Sequence, residues 1–447
     1  MTKLSQDARI CIVGAGAGGL STAYFLKKQG YRNVVVLEKA GRVGGLCCSI
    51  TYNSRSFDLG ANYLTPAYKE ILKIAAEVGA QLYTEGSGQV YNPFKSQPGK
   101  PAYTSIKNAV LAGTNILTFS AAVGRFLWER LLLDPIISVP GFAGISQHPE
   151  LTQPFSKWLA QKDLSCLETL FEIPITTMGY GYLNEIPTAY ALKYMTRETF
   201  LTLVTYGADM GCGWPKRFID GFQRFWERVA WGLNVRLNID IKEIKRGAIT
   251  RVKFTEQEQI VDEIVTREKV LECDYLILAC PLTLDVLNKF LDLSIPEKDL
   301  FEQIILNPYS LITYQIPDLQ MPTPVTNVIP VNAMGNPWFI AQQFADNDLI
   351  AFYTRLDREG KITKTEVLQG IEKTVKNLGV QIDKNYYTYD EWPYFPHVTS
   401  EAMQAGFYDH LEAMQGQRKT FYVGGLLNFE LVETIVEYSK SLVEKNF

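Results

Sequence analysis

Four glycines fall within six positions in the stretch I-C-I-V-G-A-G-A-G-G-L-S, residues 10–21. Ordering glycine costs conformational entropy, so such a cluster marks backbone that something must approach closely. Gly14, Gly16 and Gly19 have the spacing Gly-x-Gly-x-x-Gly, and Glu38 follows 19 residues after Gly19. This set suits a nucleotide pyrophosphate and a ribose. Gly14 permits a tight turn. Gly16, flanked by Ala15 and Ala17, lets backbone reach the phosphates, and Gly19 lets a helix close on a strand. Glu38, with Lys39 beside it, accepts hydrogen bonds from ribose hydroxyls.

Such a turn works only between a strand and a helix. Residues 9–13 are apolar and β-branched, which predicts a buried parallel strand. Residues 20–29, LSTAYFLKKQ, carry apolar side chains at helical spacing and end at Gly30. Residues 33–37, NVVVL, predict a second buried strand. The helix N-terminus brings free N–H groups and partial positive charge to the phosphates.

After Lys39 the chain reads A-G-R-V-G-G-L, residues 40–46. Gly44, Gly45 and Leu46, just past the ribose acid, resemble the extended FAD motif of the amine oxidase and phytoene desaturase superfamily. The resemblance implies FAD rather than a nicotinamide cofactor. D-L-G-A-N-Y, residues 58–63, resembles that superfamily's stretch beside the ribityl chain and flavin ring, which implicates Gly60, Ala61 and Asn62. Near the C-terminus TFYV, residues 420–423, precedes Gly424 and Gly425, and residues 431–443 have helical periodicity. This resembles the superfamily's C-terminal flavin segment, with N–H groups near Leu431 and Val432 facing flavin N1/O2. Many relatives carry an acid where this chain has Gly425. Ile241 resembles the position that contacts adenine through its backbone.

The expected architecture is α/β: a discontinuous Rossmann-like FAD-binding domain with a mixed-sheet substrate domain and a helical cap. The FAD domain takes residues 1–65, 230–285 and 405–447. Residues 66–225 form the mainly helical cap, and residues 286–404 the strand-rich substrate domain. SLITYQI, PWFIAQQF and LIAFYTRL alternate as sheet strands do. A sheet facing a cap makes a cavity over the flavin, where ligands are expected.

Two longer stretches, residues 175–194 and 392–422, resemble the flavin-dependent polyenoic fatty acid isomerases of bacteria. That family implies a lipid substrate and internal redox: hydride leaves a bis-allylic carbon and returns to the end of the pentadienyl cation so formed. Such a site needs an apolar, water-excluding tunnel and π faces rather than a base. Tyr394 and Phe395 are the candidate catalytic faces, with Tyr180, Tyr182, Tyr190 and Tyr194 as further aromatics; ordinary core packing is the alternative for each. His397 is a candidate base or a structural histidine. The family's Arg-Arg pair has no counterpart in residues 84–92, so either Lys95, Lys100, Arg125 or Arg197 anchors the carboxylate instead or the substrate is not a free fatty acid. A net oxidase or desaturase, and a binding protein, remain the competing functions.

Composition narrows the rest. A net charge of −4 without a basic cluster argues against nucleic-acid binding. Seven cysteines and three histidines show no metal spacing, and the odd thiol count without an apolar leader predicts reduced thiols in a cytoplasm. No obligate protein partner is evident. Residues 104–145 read as apolar, aromatic helices, either packed within the cap or forming a transient membrane-surface patch.

Overall fold

The computed structural model describes residues 4–207, 215–260, 263–382 and 385–447. Cys212 lies outside them. A five-stranded parallel sheet carries the nucleotide end, in the order Thr420–Tyr422, Tyr275–Leu278, Arg9–Val13, Asn33–Leu37, Val235–Arg236. Its central strands are apolar because both faces are covered. Helix Ala17–Lys28 follows the first strand directly, starting three residues earlier than periodicity suggested. Helix Val432–Asn446 packs against it, where Ser439 Oγ reaches the Gly18 carbonyl at 3.3 Å.

A three-stranded antiparallel sheet, Ile239–Lys245, Thr250–Ile260 and Glu263–Cys273, rises beside this unit. The long hairpin of its last two strands was not expected.

The substrate sheet has seven strands, in the order Thr388–His397, Ile305–Gln315, Leu349–Arg355, Phe339–Ala341, Val325–Val328, Gly88–Tyr91, Tyr103–Ser105. The last two come from the region read as a helical cap. Gly88–Tyr91 pairs parallel to Val325–Val328, so the sheet is mixed. Each of these two strands is only three or four residues long, too short for alternation to announce it.

The remaining cap is helical, and its longest member is Ile116–Ile137. Asn115 caps it by accepting from the Leu117 and Thr118 amides. Its sidedness is unusual: Arg130 is buried, bonded to Asp134 and the Met195 carbonyl, while Trp128 is 60% exposed. Among the described residues no helix is long and apolar enough to cross a membrane.

Candidate active site

The two glycine loops meet. Gly16 and Gly44 form a parallel bridge, and the Gly44 amide donates to the Ala15 carbonyl at 2.8 Å. Gly14 has φ +105°, and a Cβ there would lie 2.8 Å from the Ala279 oxygen. At Gly19 a Cβ would sit 1.9 Å from the Gly14 oxygen, and at Gly60 1.7 Å from the Leu46 oxygen. These glycines are therefore steric requirements. Gly16 and Gly424 differ: a Cβ on Gly16 would meet only the Gly45 Cα at 3.8 Å, and one on Gly424 nothing within 4 Å. Both border open space inside the fold.

Helix Ala17–Lys28 has Gly16 as N-cap and no side-chain cap, so its first N–H groups stay free for an anion. Glu38 stands under the loop. Its carboxylate accepts from the Ala15 amide at 2.7 Å and the Ala40 amide at 2.8 Å, which leaves lone pairs for hydroxyl donors. Lys39 beside it is exposed. Arg42 braces the second loop by donating to the Gly45 carbonyl at 2.9 Å. Ile241 is half-buried at a register shift in its strand, which loosens the backbone there. Ala61 is half-buried and Asn62 buried beside Gly60.

At the other end, helix Val432–Asn446 also begins without a side-chain cap. The Leu431 amide, however, donates to the Phe429 carbonyl at 2.9 Å and is not available to a ligand; the Val432 amide has the free position. These residues fit FAD: two uncapped helix starts, an acid with spare lone pairs, and glycine backbone open on the side where a cofactor would lie.

The aromatic candidates separate. Tyr394 is half-buried, stacked 5.6 Å from Tyr309 and 5.4 Å from Tyr180. Phe395 is corrected: it is 0% exposed and packs on His397 at 4.4 Å, Phe429 at 5.2 Å and Tyr190 at 5.6 Å. The strand's register shifts beside this pair and Phe395 has φ +50°, which leaves Tyr394 partly exposed while Phe395 is enclosed. Tyr190 is also core, its hydroxyl bonded to Tyr408 and the Val398 amide. Tyr182 lies against Trp338 and Arg355.

His397 is structural. Its Nδ1 bonds the Phe395 carbonyl at 2.7 Å, and burial depresses its pKa to about 3. Cys47 is buried with Trp226 Nε1 donating to its sulfur at 3.3 Å, and burial pushes the thiol up to about 12. A thiol so held is a poor nucleophile for flavin attachment. Of the proposed anchors, Lys95 and Lys100 are exposed on a loop and Arg125 pairs with Asp163. Arg197 alone lines a cavity, of about 390 Å³, beside Lys193, Glu433 and Tyr194.

Two features had no distinct sequence signal. Arg217, 1% exposed, pairs with Glu85 and donates to the Tyr63 hydroxyl at 2.9 Å, which fixes the wall next to Asn62. Glu430 is an acid set among Tyr180, Tyr394 and Phe395, and burial pushes it up to about 8. Only the missing acid at Gly425 hinted that this corner departs from its relatives.

The family model for flavin containing amine oxidoreductase matches residues 17–426. A polyenoic fatty acid isomerase from Ptilota filicina is 44% identical over 213 residues, 43% of this chain and 42% of that protein. An FAD-dependent oxidoreductase, oblC, from Cochliobolus heterostrophus is 22% identical over 97% of this chain and 90% of its own. The crystal structure of a CLA-producing fatty acid isomerase from P. acnes superposes with a TM-score of 0.84 at 26% identity, over 100% of both chains. Putrescine oxidase, with TM-score 0.67 and 17% identity, shares the fold. The chain belongs to the flavin containing amine oxidoreductases and is a flavin-dependent enzyme with FAD as its cofactor.

Proposed function

We propose that this enzyme is a double-bond isomerase of polyunsaturated fatty acids that yields conjugated dienes. FAD, when bound, would supply reversible hydride chemistry at the bis-allylic system, so that the double bonds move with no net oxidation. One observation carries the reading: the wall by Tyr394 is aromatic, and its histidine is neutral and tied. Stacked Tyr309, Tyr394 and Tyr180 offer π faces to a delocalised cation and exclude water that would quench it. The Ptilota filicina relative and the P. acnes structure support the same substrate class. Gly14, Gly16, Ala17, Gly19, Glu38, Gly44, Gly45, Gly60, Gly424 and Val432 would hold the cofactor. Arg197, which lines the cavity of about 390 Å³ and pairs at 3.0 Å with Asp134, another of its lining residues, is the carboxylate anchor we favour.

The second reading is an oxidase or desaturase of an amine, a carotenoid-like compound or a specialised metabolite. The oblC match across 90% of that protein favours it. Linoleic acid separates the two. An isomerase forms conjugated diene in sealed anaerobic buffer without peroxide; turnover that halts without oxygen means an oxidase.

The cap suits lipid delivery. On helix Ile116–Ile137, Leu117, Ala121, Gly124, Trp128, Leu131 and Pro135 are all exposed and recur every three or four residues, which sets them on one face. An apolar cavity of about 230 Å³, lined by Val110, Ile116, Phe119 and Val123, opens at its start. We read this face as a transient contact with a lipid surface; Trp128→Glu should reduce co-sedimentation with vesicles. The six described cysteines are free thiols, in keeping with a cytoplasmic enzyme. Residues 1–65, 230–285 and 405–447 make up its FAD domain in this reading, and 286–404 the substrate domain together with strands Gly88–Tyr91 and Tyr103–Ser105, which leaves the rest of 66–225 as cap.

A further inference from the structure

The corner that lacks an acid at position 425 has one from elsewhere. A Cβ on Gly425 would lie 2.8 Å from the Glu430 Cβ and 3.0 Å from its Cα and Cγ. The Glu430 side chain therefore fills the space that a side chain at 425 would need. Its backbone is held there by the Tyr180 hydroxyl, which donates to the Glu430 carbonyl at 3.0 Å.

The local backbone is bent to make this arrangement. Phe429 has φ +76° and Phe395 φ +50°, both in the left-handed region that non-glycine residues avoid. Phe429 precedes Glu430, and the Phe395 amide is the hydrogen-bond donor to its carboxyl. Strain of this kind persists where the surroundings over-determine it, and it clusters at ligand clamps.

The carboxyl is nevertheless incompletely satisfied. Oε2 is sealed from solvent and has no hydrogen-bond partner. The residue as a whole is only half-buried, as are Gly424 and Gly425, although all three lie at the interior end of strand Thr420–Tyr422. A Cβ on Gly424 would meet nothing within 4 Å, and a Cβ on Gly18 of the first helix would come within 3.4 Å of the Gly424 nitrogen.

Among the described residues, no cation shifts the titration of this acid. The titratable groups around it are the hydroxyls of Tyr180 and Tyr394, both raised by burial and so neutral. His397, behind Phe395, is neutral as well. On the helix that follows, the nearest acid, Glu433, turns to the Glu70 and Ile71 amides at 2.7 and 3.0 Å. A carboxylate without a charge partner is costly to bury, so the carboxyl keeps its proton at neutral pH. It then has an O–H to donate.

We propose that Glu430, as a neutral acid, donates a hydrogen bond to an oxygen of FAD bound against Gly424 and Gly425. The isomerase reading plays no part in this: the inference needs only that FAD is the cofactor. It makes cofactor affinity depend on a proton, strong below the pKa of about 8 and weaker above it.

FAD titration into apoprotein, followed by quenching of flavin fluorescence from pH 6 to pH 10, tests it. Wild-type Kd should rise about three- to tenfold above pH 8, the range of one neutral hydrogen bond. Glu430→Gln keeps an N–H donor without a proton to lose, so its Kd should stay near the low-pH value throughout. Glu430→Ala should bind about three- to tenfold more weakly at pH 6 and show no step. If Glu430→Gln keeps the wild-type step, the proton belongs to another group such as Glu433, and the proposal fails. Infrared difference spectra of FAD-bound against apoprotein give a second readout should the alanine variant not fold. They should show a protonated-carboxyl band that shifts on binding and is missing in Glu430→Gln. Absence of that band from wild type would also overturn the assignment.

Discussion

The two ends of the cradle are built differently. The nucleotide end is mostly backbone: glycine loops, the uncapped start of helix Ala17–Lys28 and one acid, Glu38, whose partners are amides two and 23 residues away. The flavin and substrate end is mostly side chain: Tyr180, Tyr394, Phe395, Phe429 and Glu430 come from three separated segments. Backbone sites demand particular residues at fixed spacing, because only glycine meets the steric limits. Side-chain sites demand only that large residues fill a volume, which many sequences satisfy.

The first way to break this contrast is to add one carbon at the backbone end. Gly19→Ala would put a Cβ 1.9 Å from the Gly14 oxygen, where no side-chain rotation relieves the clash. The strand–turn–helix must shift, and purified protein should carry essentially no flavin. Full flavin content by visible absorbance would show that the turn tolerates what the geometry forbids.

Next in size is the pair Tyr394 and Phe395, adjacent in sequence and opposite in role. Phe395→Ala empties a site with 0% exposure and should cost about 3–5 kcal/mol of stability. Tyr394→Ala removes a half-buried cavity face, so it should melt closer to wild type yet turn over at least tenfold more slowly. Thermal melts paired with turnover decide this. If Phe395→Ala melts like wild type and loses only activity, the core assignment is wrong.

The same contrast explains what the sequence made legible. Gly14, Gly16, Gly19 and Glu38 could be placed because strand, turn, helix and acid lie within one local unit. The strands Arg9–Val13 and Asn33–Leu37 were readable as apolar runs because a parallel sheet is covered on both faces. Gly88–Tyr91 was not, since its place is set by Val325–Val328, over 200 residues away. Likewise Tyr394 and Phe395 look equivalent as letters; a strand register and a left-handed φ separate them. Glu430 was invisible because its proton follows from burial, which local sequence does not report.

A smaller effect is expected at Glu38. Replacing it by alanine removes the ribose acceptor and the tie to the Ala15 amide, but leaves the glycine loop sterically intact. A hydrogen bond involving a charged group contributes about 1.5–3 kcal/mol, so FAD affinity should fall about ten- to a hundredfold. An unchanged FAD Kd would place the ribose elsewhere and weaken the division between the two ends.

The smallest effect probes the seam where the ends join. Glu433 accepts from the Glu70 and Ile71 amides and so caps helix Lys69–Glu77, yet burial outweighs those bonds and raises its pKa to about 7. The folded protein thus holds a proton that the unfolded chain releases near pH 4.5. Stability from this group is full below that value and declines as pH rises to about 7, about 3 kcal/mol in all. Above pH 7 the slope ends, because folded and unfolded chains are then equally deprotonated at this site. Glu433→Gln has no proton to lose and should lack that slope, while Glu430→Gln should keep it and lose only a decline that extends to about pH 8. Denaturant melts of apoprotein between pH 4.5 and pH 9 resolve the two. A Glu433→Gln profile parallel to wild type would mean that the capping bonds, rather than burial, govern this acid.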